Sequence, residues 1–176
     1  MPTLDLSALP AWSQLLARLP DGSYDPQAAD DCGETCVAAI VTAVHGTPVG
    51  PGSVRANLGG SGRSGLTTGE DLRAALAYYS TLAAVESPAA TDLEGYLTSC
   101  SNRGFPTIVL GDWPVPGASL HWMATLGTSG SWQFMNPWGG VRSSMPWPDA
   151  MRLYRGSIVL VEAHVNYDKR SLAVPY

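Results

Sequence analysis

The segment Gly33–His45 constrains this chain more than any other. Val37, Ala38, Ala39, Ile40, Val41, Ala43 and Val44 make it apolar on almost every side of a helical period. A helix of that kind cannot lie on a surface and must be buried at the centre of a packed fold. Asp30 and Asp31 stand where they would cap its start, and Gly46 where it would end. Cys32 therefore falls at the N-terminus of the most buried helix. A length of 176 residues, 45% of them hydrophobic, suffices to enclose such a helix in one compact domain and excludes intrinsic disorder.

Around this helix the pattern is helical first and extended afterwards. Trp12, Leu15, Leu16 and Leu19 follow i, i+3, i+4, i+7 spacing and predict an amphipathic helix, with Pro10 in its first turn and Pro20-Asp21-Gly22 as its stop. Residues 46–65, rich in Gly, Ser and Pro, predict a long loop, a candidate lid. Thr68-Gly69-Glu70-Asp71 opens a helix with Leu72, Ala75, Leu76 and Tyr79 on one face. Another begins at the capping-box spacing Thr91…Glu94, turns Leu93, Leu97 and Cys100 inward, and ends at Gly104. From there the period changes. Phe105–Leu110, His121–Leu126, Ser131–Met135 and Ser157–Glu162 read as strands, the middle two joined by the hairpin signal Gly127-Thr128-Ser129-Gly130. Helices followed by an antiparallel sheet predict an α+β domain rather than a parallel βαβ fold. No internal repeat and no domain boundary is visible.

Composition excludes several partners. Ten Lys and Arg against fifteen Asp and Glu give a net charge of −5, and no basic block is present. Phosphate neutralisation supplies most nucleic-acid affinity, so nucleic acid is not expected as a partner. No apolar run approaches the roughly 18 residues of a membrane span, and Met1-Pro2-Thr3-Leu4-Asp5 lacks the basic and apolar regions of a secretory signal. The expected location is the cytoplasm, or outside by a route that needs no signal segment. Three Cys cannot build a full disulfide framework. Cys32-x3-Cys36 lacks a second clustered ligand pair, so no metal is expected. Gly59-Gly60-Ser61-Gly62 is not followed by the Lys-Ser/Thr of a phosphate loop.

Three residues remain that can carry chemistry together. A thiol at a helix N-terminus, as at Cys32, feels the positive end of the helix dipole, which favours thiolate. A histidine such as His121 can pair with it and later protonate a leaving group. An amide such as Asn136 can hold that imidazole in one tautomer. His121 starts one predicted strand and Asn136 follows the end of its hairpin partner, so antiparallel pairing brings them to the same end of the sheet. Cys36 is a rival nucleophile one turn inside the apolar helix, where burial would raise its pKa and block substrate. Cys36 and Cys100 read as small hydrophobes, and His45 and His164 as structural or exposed. Trp113, Trp122, Trp132, Trp138 and Trp147 read mostly as core, with one or two lining a cleft.

The segments Gln27…Asp31-Cys32-Gly33-Glu34-Thr35-Cys36, His121-Trp122-Met123 and Asn136-Pro137-Trp138-Gly139-Gly140 resemble the papain-like cysteine peptidases. They are most similar to the small bacterial branch that includes the bacteriocin-processing, double-glycine peptidases. The matching order spans residues 27 to about 162. The resemblance implies one papain-like domain over 1–176, with its core at about 24–163. It implies Cys32 as nucleophile, His121 as general base and acid, Asn136 as orienter and Gln27 as oxyanion donor, with no cofactor. Asn136 stands where that branch usually has Asp, as in papain itself, and Gln27 is one residue closer to the Cys. The implied activity is cleavage of a peptide or isopeptide amide in a peptide or protein substrate, through a thioester. The same fold and chemistry also serve peptidoglycan amide hydrolysis and acyl transfer, and a silent binding scaffold is the non-enzymatic alternative. Oligomeric state has no signal in the sequence.

Overall fold

The computed structural model describes residues 4–24, 28–58, 67–112 and 120–162. Among these, five α-helices and a six-stranded sheet follow in the order α1 (Cys32–His45), α2 (Pro51–Asn57), α3 (Gly69–Tyr78), β1 (Ala83–Glu86), α4 (Leu93–Asn102), β2 (Thr107–Gly111), β3 (His121–Gly127), β4 (Trp132–Asn136), β5 (Val141–Met145), α5 (Trp147–Leu153) and β6 (Tyr154–Val161). The sheet runs β1-β6-β2-β3-β4-β5, and every neighbouring pair is antiparallel. This is the α+β architecture the sequence predicts.

Successive strand residues face opposite sides, and both sides are covered. Ile108, Trp122, Ala124, Met135 and Val159 pack under α1 and α3, in one cluster with Cys36–Val41, Leu72 and Leu76. Their chain neighbours Val109, Met123, Phe134 and Ile158 pack on the opposite side with Leu93 and Leu97 of α4 and Trp147 and Ala150 of α5. Two covered faces explain why β2, β3 and β6 read as nearly unbroken apolar runs. Residues Cys32 to Val41 of α1 are all buried, and the helix ends on Gly46 in the left-handed region. The hairpin at 127–130 joins β3 to β4 as its turn signal predicts.

Four expectations are corrected. The segment holding Trp12, Leu15, Leu16 and Leu19 forms only 3-10 turns at Leu6–Ala8 and Gln14–Leu16, and Leu16 is 68% exposed. Its polar groups are taken up by tertiary partners: the Gln14 N–H donates to Pro137 O at 2.9 Å, and Arg142 donates to Ser7 O and Leu9 O, both at 2.6 Å. The loop predicted over 46–65 contains α2, with Pro51 in its first turn and Val54 in the core, while its later part lies outside the described residues. The predicted Thr91…Glu94 box is not made, because a 3-10 turn at Ala90–Asp92 leads directly into α4. A capping box closes the start of α3 instead, between Thr68 and Asp71. Asp31 sits at the N-cap of α1 but makes no side-chain cap hydrogen bond, since Arg55 engages its carboxylate. The sequence also gave no signal for β1, β5 or α5, and β6 begins three residues earlier than its predicted strand.

The approach of α2 to the N-terminal segment sets a testable limit. A Cβ on Gly52 would lie 1.8 Å from the backbone oxygen of Arg18. That atom is main chain and has no rotamer to yield. Gly52→Ala is expected to lower unfolding free energy by about 2–3 kcal/mol, read as a lower midpoint in urea.

Candidate active site

The antiparallel register of β3 and β4 places His121 and Asn136 at the same end of the sheet, and the two side chains meet. His121 Nε2 lies 2.7 Å from Asn136 Oδ1, with both residues buried. The same oxygen accepts the backbone N–H of Trp138 at 3.0 Å. A backbone N–H can only donate, so the amide atom there must be the oxygen, and the imidazole must donate from Nε2. In the neutral ring this fixes the tautomer and leaves the lone pair on Nδ1. The Asn136–Trp138 turn therefore sets the chemistry of the far side of the ring as well as its orientation.

Cys32 opens α1 beneath the start of β3. The backbone amides of Trp122, the residue after His121, and of Gly33 and Cys32 itself lie on the side of its sulfur. These donors favour thiolate, as the helix-terminus argument expects, but burial outweighs them. The thiol is only 7% exposed and is pushed up to about 11, first by burial and further by the Glu34 carboxylate. Burial also lowers the His121 imidazole, opposed by its bond to Asn136. Both shifts are directed toward the neutral forms, thiol and imidazole, against the thiolate that the helix terminus favours.

No family profile and no curated protein sequence matches the chain. Solved structures do. The peptidase domain of Streptococcus ComA, a bifunctional ABC transporter of a quorum-sensing pathway, matches with a TM-score of 0.60 at 17% identity, over 83% of this chain and 98% of that one. A double-glycine-motif protease from an AMS/PCAT transporter, solved with its leader peptide, matches with a TM-score of 0.56 at 19% identity, over 74% of this chain and 83% of that one. The fold is that of a papain-like cysteine peptidase domain.

Within this papain-like fold, a hydrogen bond joins His121 to Asn136 across the β3–β4 hairpin, and Cys32 stands at the start of α1, which packs on β3. Gln27, the fourth residue of the predicted site, lies outside the described residues, as do His164 and Trp113. Cys36 is fully buried and its thiol is raised well above the ordinary range by burial. Cys32, Cys36 and Cys100 are all free thiols. His45 contacts Thr81 Oγ1 at 3.3 Å, away from the site. Trp122, Trp132 and Trp147 are core, whereas Trp138, beside Asn136, is 37% exposed. Among the described residues no three His, Cys, Asp or Glu side chains group as a metal site requires. No helix among them is long and apolar enough to cross a membrane.

Sequence reasoning missed the polar frame around Cys32. Asp31 and Glu34 are both buried, and both ion-pair with Arg55 of α2, Glu34 at 3.7 Å. Thr67 Oγ1 donates to Glu34 Oε1 at 2.8 Å, and Thr67 O accepts the Trp122 indole N–H at 2.9 Å. Trp122 thus reaches Cys32 through its backbone and Glu34 through Thr67. Two acidic residues at the start of an otherwise largely apolar helix were the available signal, because buried carboxylates need a cation.

The upward shift of the Cys32 thiol has a direct readout. Iodoacetamide labelling of Cys32, located by mass spectrometry, should rise steadily from pH 7 to beyond pH 10, past the usual thiol midpoint of about 8.5. A plateau below pH 8 that disappears in His121→Ala would instead reveal a thiolate–imidazolium pair.

Proposed function

We propose that this chain is a cysteine peptidase that cleaves a peptide or isopeptide amide through a Cys32-His121-Asn136 triad. The observation that carries the reading is the 2.7 Å His121–Asn136 hydrogen bond, its tautomer fixed by Trp138 N–H, in a fold whose central helix opens on a cysteine. As the Cys32 sulfur bonds to the substrate carbonyl carbon, its proton passes to His121 Nδ1. The carbonyl oxygen becomes an oxyanion, stabilised by the Cys32 backbone N–H and by Gln27. The C–N bond then breaks as the imidazolium returns the proton to the leaving amine. Water, deprotonated by His121, attacks the thioester and releases the acid and the thiol. Each step uses only protons already in the pair and the water, and no cofactor takes part.

The substrate class in this reading is a peptide, supported by the leader peptide seated on a protease of the same fold. Fluorogenic peptides, including ones cleaved after Gly-Gly, provide the assay. Cys32→Ala should abolish turnover, and His121→Ala should lower kcat by about 100-fold or more. Asn136→Ala should lower it by roughly 100-fold while KM stays within a small factor, because it misorients the imidazole without touching substrate. Turnover that survives Cys32→Ala, or no cleavage of any peptide by the wild-type chain, would remove the reading.

A further inference from the structure

Two buried carboxylates flank Cys32 in the chain, and the charge of one of them, Glu34, opposes ionisation of its thiol. Asp31 directly precedes it and is 0% exposed; Glu34 lies in the next half-turn of α1 and is 2% exposed. A negative charge beside a thiol opposes its ionisation, and a dry surrounding screens that charge poorly. Both carboxylates converge on Arg55, the only buried arginine among the described residues, which α2 brings across from a different part of the chain. Arg55 Nε also donates to Asp31 Oδ1, so the guanidinium holds that carboxylate with more than one of its nitrogens.

We propose that Arg55 is a positioning residue of the site: by pairing with Asp31 and Glu34 it cancels the negative charge around Cys32 and so sets how readily the thiol ionises. The inference rests on the reading of Cys32 as the nucleophile, but its readout is alkylation rather than turnover, so the two fail separately. The other titratable groups that act on this cluster, among the described residues, are Cys36 on α1, which interacts with Cys32, and Asp71 on α3, which acts on Glu34; His121 on β3 directly precedes Trp122. All stay constant across the variants below.

A purely structural ion pair would affect stability alone. A charge-setting one moves the thiol, and in opposite directions for its two partners. Glu34→Gln keeps the shape and the Asp31–Arg55 pair but removes one negative charge. Its iodoacetamide labelling profile at Cys32 should move to lower pH, raising the rate at pH 9 by several-fold up to about tenfold, one unit of thiol pKa being a factor of ten in thiolate. Arg55→Met leaves both carboxylates uncompensated and should lower the rate at pH 9 by a similar factor, with Arg55→Lys recovering part of it. Near-ultraviolet circular dichroism establishes that each variant is folded. Where Arg55→Met does not fold, Glu34→Gln decides alone. Profiles that superimpose on wild type, or shift the same way in both variants, would overturn the proposal and reduce Arg55 to a packing role.

Discussion

The seat of α1 on β3 is the contact on which the other features depend. It is made by the first turn of α1, where Gly33 faces Leu72 of α3 and the Trp122 ring. A Cβ on Gly33 would lie 2.7 Å from Leu72 Cδ2 and 3.2 Å from Trp122 Cδ1. Only a residue without a side chain lets the helix settle this deeply. That depth brings the backbone amide of Trp122, the residue after His121, towards the Cys32 sulfur. The same burial strips water from Asp31 and Glu34, which is why a buried arginine stands beneath the site.

Burial then acts against the reactivity it positions. A helix N-terminus and three amide donors favour thiolate, yet enclosing the sulfur raises the cost of its charge by more. His121 is pushed the same way, toward the neutral ring. The bond from Nε2 to Asn136 leaves the neutral ring's lone pair on Nδ1.

What the sequence made legible was whatever announces itself by period. α1, the inward face of α4, β2 and the β3–β4 hairpin each carry an apolar repeat and a turn or cap signal, and their order put His121 and Asn136 at one end of the sheet. What stayed hidden has physical reasons too. The seven residues of α2 contribute one apolar anchor to the main core, Val54, too few to show a helical repeat. β5 reads Val-Arg-Ser-Ser-Met and is exposed along most of its length; its ladder to β4 holds it, not a buried face. Arg55 and Asp31 are 24 residues apart, so neither marks the other in the sequence. The spacing from Trp12 to Leu19 was misleading for the opposite reason: a helical repeat was present, but backbone partners elsewhere in the fold outcompeted the helix.

That segment shows how much of the site is held from outside its three central residues. Gln14 is 1% exposed and reaches in two directions. Its backbone N–H donates to Pro137 O at 2.9 Å, the residue after Asn136. Its side-chain Nε2 donates to Ala29 O at 2.6 Å and Ala28 O at 3.3 Å, in the turn that leads into Cys32. The turn before the thiol and the turn after the orienting amide thus share one buried residue. Had the segment closed into a helix, the Gln14 amide hydrogen would have been committed to its own turn. The irregular backbone at residues 13–17 is therefore the form in which a local chain can tie two distant parts of the site together, and helix propensity yields to that requirement.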